Sequence, residues 1–185
     1  NIIWFKWIVT SGNNHIIGNS IVIGDNDSNL YVTGSFEGTV DFDPSSGIHN
    51  LTSNGYDDIF ILKIGVSGNF IWAKSIGGSL PDIGYSIHYN NYRGLYLTGE
   101  FRDTVDFDAG LGITNLIANY NDIFVLRLDK NGNFLWAKCM GGSDIDMGKS
   151  IHNDIKGNIY VAGNFEGISD MDPNIGVVNL TSIGE

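Results

Sequence analysis

The feature that most constrains the fold of this chain is an internal repeat. Residues 68–74 read Gly-Asn-Phe-Ile-Trp-Ala-Lys, and the same segment recurs 64 positions later, at residues 132–138, with one Ile-to-Leu difference. A second motif occurs three times, at residues 31–36, 96–101 and 160–165. Self-similarity at a fixed period of this length is typical of proteins that stack one structural unit several times. We therefore expect three copies of one fold.

The copies extend roughly over residues 1–71, 72–135 and 136–185, and the last copy is incomplete. Small insertions shift the first copy by a few positions relative to the other two. Because all three share their motifs in the same order, we treat residues 1–185 as a single repeat array. We expect the array to be a fragment of a larger one.

Each module is predicted to contain four main strands separated by tight turns. Residues 129–132, Asp-Lys-Asn-Gly, are a hairpin signal between the third strand and the fourth. A longer excursion, such as residues 38–55, separates the second strand from the third and is predicted to form a small ribbon from residues 39–42 and 49–52. Representative strands, in order within the module, are predicted at residues 150–153, 158–163, 123–128 and 133–138.

The third strand indicates how the modules pack. Ile59-Phe60-Ile61-Leu62 lacks polar alternation, so both of its faces should be buried. Sheets stacked face to face around an axis bury both faces of their middle strands, as the blades of a β-propeller do. The predicted fold class is all-β: a β-propeller-like array of four-stranded antiparallel blades, with about three repeats of roughly 64 residues.

Charge and hydropathy exclude several classes of partner. The net charge is −11, from 10 Lys and Arg residues against 21 Asp and Glu residues, and no basic run occurs. Binding to nucleic acid relies on clustered Lys and Arg, so we expect no nucleic-acid partner. No segment approaches the roughly 20 apolar residues of a membrane span, so we expect no membrane insertion. Cys139 is the only cysteine, which rules out an intramolecular disulfide.

Several motifs recur in a fixed order: Asn-Gly-Asn-x-x-Trp-Ala-Lys, Asp-x-Gly-x-Ser-Ile, Gly-Asn-Ile-Tyr-Val-x-Gly and Val-Asp-Phe-Asp-Pro. Together they resemble the bacterial β-propeller repeat family, the seven-bladed type repeat, over nearly the whole chain. The resemblance implies four-stranded blades in large secreted or cell-surface bacterial proteins, mostly without an assigned activity. The family pattern supplies no catalytic residues. We therefore predict an extracellular or cell-surface location and no enzymatic activity.

The best candidate site is a pair of aspartates that recurs in each copy. Residues two apart in an extended strand face the same side, so each pair could offer two carboxylates to one cation. Calcium prefers oxygen ligands, and it is the only cofactor that we consider. The alternative is structural, with one aspartate capping a turn and the other solvated. The candidate metal ligands are Asp41, Asp43, Asp106, Asp108, Asp170 and Asp172.

Two histidines, His88 and His152, occupy equivalent positions after a Ser-Ile pair. They would line a central channel if that strand is innermost, but a metal or general-base role needs further convergent partners. Trp72 and Trp136 are predicted to pack between neighbouring sheets.

We predict a non-catalytic repeat scaffold for surface display or for binding of protein or glycan. The alternatives are a propeller-type hydrolase or lyase with an axial site, and a calcium-dependent carbohydrate-binding module. Closed propellers have 4–8 blades, and this chain holds fewer than three. The arrangement is thus a piece of a larger propeller, a ring formed by self-association through open blade edges, or an open stack. The ligand and the total number of blades are not encoded in these residues.

Overall fold

The computed structural model describes residues 4–10, 14–24, 26 and 28–183. The outer limits of the first and last predicted copies, residues 1 and 185, lie outside these described residues. Within them the chain forms strands and turns without a helix, and hence no helix that could cross a membrane. The strands are β1 (His15–Gly24), β2 (Asn29–Glu37), β3 (Thr39–Asp41), β4 (Asn50–Thr52), β5 (Asp58–Gly65), β6 (Phe70–Ile76), β7 (Ile83–Asn90), β8 (Gly94–Asp106), β9 (Asn115–Leu128), β10 (Phe134–Gly142), β11 (Met147–Asn153), β12 (Ile159–Asn164), β13 (Ile168–Asp170) and β14 (Asn179–Thr181).

All named strand pairs are antiparallel, which confirms the predicted all-β class. The first sheet has the order β1-β2-β5-β6, and the strands β7-β8-β9-β10 repeat that order in the second sheet. In the third copy β11 pairs with β12. Every sheet thus begins with the strand that carries the Ser-Ile motif and continues outward through the strands that follow it in the chain.

The hairpin between the third and fourth strands forms because its residues suit a tight turn. Gly68 and Gly132 occupy equivalent turn positions with φ of 82° and 80°. This left-handed conformation favours glycine, which has no Cβ to clash with the backbone. In the second copy Asp129 Oδ1 also accepts hydrogen bonds from the backbone N–H groups of Asn131 and Asn133, at 2.8 and 2.9 Å.

The third strand of each complete sheet is buried on both faces, as the apolar run predicted. Every residue of β5 is buried. One hydrophobic cluster combines Ile59 and Ile61 of the first sheet with Phe124 and Leu126 of the second, and Trp72 packs against it. Removal of this apolar surface from water is what holds the sheets face to face. The predicted position of Trp72 between sheets is therefore confirmed.

The first strands of the three copies lie side by side and share a repeated hydrogen bond. The N–H of Ile87 donates to Ser20 Oγ at 3.3 Å, and the N–H of Ile151 donates to Ser86 Oγ at 3.2 Å. Each serine of the Ser-Ile motif therefore bonds to the isoleucine of the next copy. The same contact at two successive junctions indicates that the copies stack with a constant displacement.

A two-stranded ribbon follows the second strand of each copy. It is separate in the first copy, as β3 with β4, and in the third, as β13 with β14, whereas in the second copy it continues β8 and β9. The ribbon reaches back to the preceding copy: Gly142 of β10 pairs with Ser169, and Thr10 pairs with Val40. Each copy thus clasps the outer strand of the copy before it.

Candidate functional site

The first aspartate of each predicted pair braces the ribbon loop. Asp41 Oδ1 accepts hydrogen bonds from the backbone N–H groups of Asp43, at 3.0 Å, and His49, at 2.7 Å. Asp106 and Asp170 make the same two bonds in the other copies. These backbone bonds lower the pKa of Asp170, because they stabilise its charged form. One oxygen of each carboxylate therefore has a structural role.

The second aspartate of each pair caps a turn within the same loop. Asp43 accepts hydrogen bonds from the side chain and the backbone of Ser45, at 2.6 and 2.8 Å, and these lower the pKa of Asp43. Asp108 and Asp172 accept equivalent bonds from the residue two positions further on. Unlike the first aspartate, Asp43 lies beyond the end of its strand. The same-face argument for a cation therefore does not describe the geometry of these pairs.

Across the described ranges, no three side chains among His, Cys, Asp and Glu lie close enough together to hold a metal ion. A calcium ion at one of the aspartate pairs would have to complete its shell with backbone oxygens and water. Calcium binding at these loops stays a prediction.

His88 and His152 lie next to each other, as their equivalent positions on adjacent first strands predict. Their ring centroids are 4.2 Å apart. Burial, and then the neighbouring His152, lowers the pKa of His88, so a neutral ring is favoured at neutral pH.

Four buried aspartates, which the sequence marked as repeated but to which it assigned no role, link the copies. Asp82 Oδ2 accepts the N–H of Gly78 at 2.7 Å, and its Oδ1 accepts the N–H of Arg102 at 2.9 Å. Asp146 repeats the first bond through Gly142. Each carboxylate ties the outer strand of one sheet to the following copy. The buried aspartates are Asp58, Asp82, Asp122 and Asp146.

Burial makes three of these carboxyl groups difficult to ionise. It raises the pKa of Asp58 to about 6, and it raises the pKa values of Asp82 and Asp122 to about 7. A neighbouring carboxylate adds to each effect: Asp58 acts on Asp82, and Asp146 acts on Asp122. Oδ1 of Asp58 and Oδ1 of Asp122 are buried and accept no hydrogen bond from the described residues. The copy junctions are therefore sensitive to protonation.

The ribbon loops expose an aliphatic side chain at the same place in every copy. Ile48, Ile113 and Val177 each lie just before the residue that donates to the first aspartate, and they are 80%, 79% and 70% exposed. Leu111 and Ile175, two positions earlier in the second and third loops, are fully exposed. Together these five residues form what we call the loop row. Because the aspartates brace the loops, the row is held in place.

An apolar cavity of about 460 Å³ lies beside β12 in the third copy. The outer strands of the second sheet form one wall, with Trp136 beside the opening, and β12 and the third ribbon form the other. The cavity is lined by Ile123, Val125, Trp136, Lys138, Met140, Ile159, Val161, Gly163, Asn164, Phe165, Met171, Pro173 and Leu180.

The fold and these sites define an all-β repeat protein in which many buried polar groups tie one copy to the next. The chain is 25% identical to the uncharacterized WD repeat-containing protein L264 of Acanthamoeba polyphaga mimivirus, over 185 aligned positions that cover 87% of this chain. It spans 13% of that protein's length. No protein-family model matches the chain. WD40 repeats form propeller blades, so the similarity points to the β-propeller class of repeat proteins.

Proposed function

We propose that this chain is part of a non-catalytic β-propeller scaffold, with blades of four strands, that binds a protein partner through the loop row. The observation that carries the proposal is the exposed aliphatic residue at the same position in all three ribbon loops. Presentation at the cell surface or in the medium is part of the proposal, and its basis is the resemblance to the bacterial repeat family.

The loop row has the chemistry of a protein-binding surface. Isolated exposed aliphatic residues are ordinary, but a group of them at one edge of a protein is typical of a contact surface. Covering Ile48, Ile113 and Val177 would contribute about 1.5–3 kcal/mol for each side chain. The aspartate hydrogen bonds hold the loops before binding, which lowers the entropic cost of association. A protein partner with an apolar strip fits this surface better than a glycan does.

A scaffold role also accounts for the polar residues of the core. Asp82, Asp146 and Ser86 are repeated because each bonds to the neighbouring copy, which is a structural task common to all junctions. An enzyme with an axial site would need several different polar groups that converge from separate copies. The repeated polar residues are instead the same at successive junctions, which favours binding over catalysis.

Site-specific photo-crosslinking in the native cells tests the proposal. A photoreactive phenylalanine analogue at position 113 should give a discrete protein adduct, identified by mass spectrometry. The matched control is the same analogue at position 92, where Tyr92 is 97% exposed in a turn away from the ribbon loops. A second chain that carries Ile48→Ser and Val177→Ser beside the analogue should lose the adduct. Equal adducts from positions 92 and 113, or none from position 113, would contradict the proposal.

A further inference from the structure

We propose that the cavity beside β12 is a seat for an extended strand of the pattern Asp-Ile-Phe-apolar-Leu, contributed by a further copy of this repeat module. The strand would add to the edge of β12 and place its phenylalanine opposite Gly163. This inference does not depend on the loop row or on its partner.

The first two copies show how such a strand sits. In the first, Phe60 lies opposite Gly34 in the antiparallel register of β2 and β5. In the second, Phe124 lies opposite Gly99. A Cβ atom on Gly34 or Gly99 would lie 2.9 or 2.7 Å from Cε1 of the facing phenylalanine. Each ring therefore lies over a bare glycine, and a larger residue would displace it.

The same phenylalanine completes an aromatic cluster in both copies. Phe42 packs between Phe36 and Phe60, with ring centroids 5.2 and 5.1 Å apart. In the second copy Phe101, Phe107 and Phe124 repeat this arrangement, again at 5.2 and 5.1 Å. The spacing and tilt are those favoured by aromatic rings. Two members come from the copy's own second strand and ribbon, and the third member comes from the third strand.

The third copy presents the same surface. Gly163 is the counterpart of Gly34 and Gly99, Phe165 is the counterpart of Phe101, and Met171 replaces Phe107. All three line the cavity. The cavity therefore lies where Phe60 and Phe124 lie in the preceding copies, and its shape and apolar lining suit a phenylalanine.

The backbone of β12 suits strand addition as well. Among the described strands, β12 pairs with β11 alone. Its other edge presents main-chain N–H and C=O groups to which an incoming strand can bond. By the register of β8 and β9, where Leu97 faces Leu126, the leucine of the incoming strand would face Val161. Main-chain bonds would supply affinity, and the phenylalanine and leucine would supply specificity.

A fluorescein-labelled peptide with the sequence of residues 119–130, which contains Asp-Ile-Phe-Val-Leu, tests the seat by fluorescence anisotropy with the full chain. We expect saturable binding. Phe124→Asp in the peptide should weaken it by about tenfold or more, because a carboxylate would be buried among apolar side chains. Val161→Lys in the protein should weaken it comparably.

Two controls separate the seat from general stickiness. Ala162→Lys places the same charge on the opposite face of β12 and should leave binding within about twofold of wild type. Met171→Lys replaces Val161→Lys if the latter does not unfold cooperatively. The absence of saturable binding, or binding that survives both Phe124→Asp and Val161→Lys, would overturn the proposal. Dimerisation without peptide that Val161→Lys abolishes would make a second copy of this chain the occupant, and would also overturn it.

Discussion

The ring of Phe124 lies over the backbone of Gly99 on the neighbouring strand of the second sheet, and Phe60 and Gly34 repeat this relationship in the first. A side chain at Gly99 would collide with Phe124 Cε1, 2.7 Å from a Cβ atom, and with the carbonyl oxygen of Ile83. Both neighbours are held within the sheet, so neither can move without disturbing the core. The pairing therefore fixes the identity of both residues.

Gly99→Ala should lower the free energy of unfolding by about 1–3 kcal/mol, because it overpacks this core. The matched control is Gly18→Ala, where the nearest atom to a new Cβ is Cγ1 of Val32 at 4.0 Å, an ordinary contact. Urea unfolding followed by circular dichroism measures both variants. Equal midpoints for Gly99→Ala and Gly18→Ala would contradict the pairing.

The buried aspartates predict that stability falls as pH rises. Unfolded aspartates titrate near 4, whereas burial raises the pKa of Asp58 to about 6 and the pKa values of Asp82 and Asp122 to about 7. Between pH 4 and 7 the folded state binds more protons, so the contribution of these groups is present at pH 4 and is lost by about pH 7. Each titrating group contributes a slope of at most about 1.4 kcal/mol per pH unit.

Asp122→Asn should therefore be more stable than wild type at pH 8, and its stability should depend less on pH between 4 and 7. The control Asp103→Asn removes an exposed charge from the same copy and should leave the pH dependence as in wild type. Urea unfolding at half-unit pH intervals measures both. Parallel pH profiles for wild type and Asp122→Asn would count against an unfavourable buried charge at this junction.

Trp72 and Trp136 occupy equivalent positions but have different surroundings. Trp72 packs on the hairpin of the second copy, where a Cβ atom at Gly132 would lie 3.0 Å from its ring, whereas Trp136 borders the open cavity. Trp72→Ala should cost about 3–5 kcal/mol, and Trp136→Ala should cost less, because part of its surface already faces solvent. Thermal unfolding distinguishes them. A larger loss for Trp136→Ala would contradict the assigned packing.

The hypothesis that the aspartate pairs bind calcium predicts that millimolar calcium raises the melting temperature of the wild-type chain. The rise should disappear in Asp108→Asn, which removes a formal charge while preserving an acceptor for the turn. Magnesium, which demands a stricter octahedral shell, is the control ion and should have a smaller effect. An unchanged melting temperature in calcium would leave these loops with the structural role alone.

Local patterns were sufficient to predict much of the fold. The apolar run through Phe60 indicated a strand that is buried on both faces, and Asp129 to Gly132 indicated a hairpin, because both signals depend on neighbouring residues. The bonds of Asp82 to Gly78 and Arg102 depend instead on how successive copies pack, so the sequence marked Asp82 as repeated without indicating its role. The cavity likewise follows from a comparison of Gly163 with Gly99 in three dimensions.

The central claim is that equivalent third strands are buried between stacked sheets, and amide hydrogen exchange by NMR tests it most directly. The amides of β5 and the Ile123–Leu128 part of β9 should be the slowest to exchange, with similar protection factors in the two copies, because opening either strand requires separation of the sheets. The amides of β12 that face its unpaired edge should exchange much faster. Rapid exchange throughout β5 and β9, or protection in only one of them, would contradict the stacked arrangement.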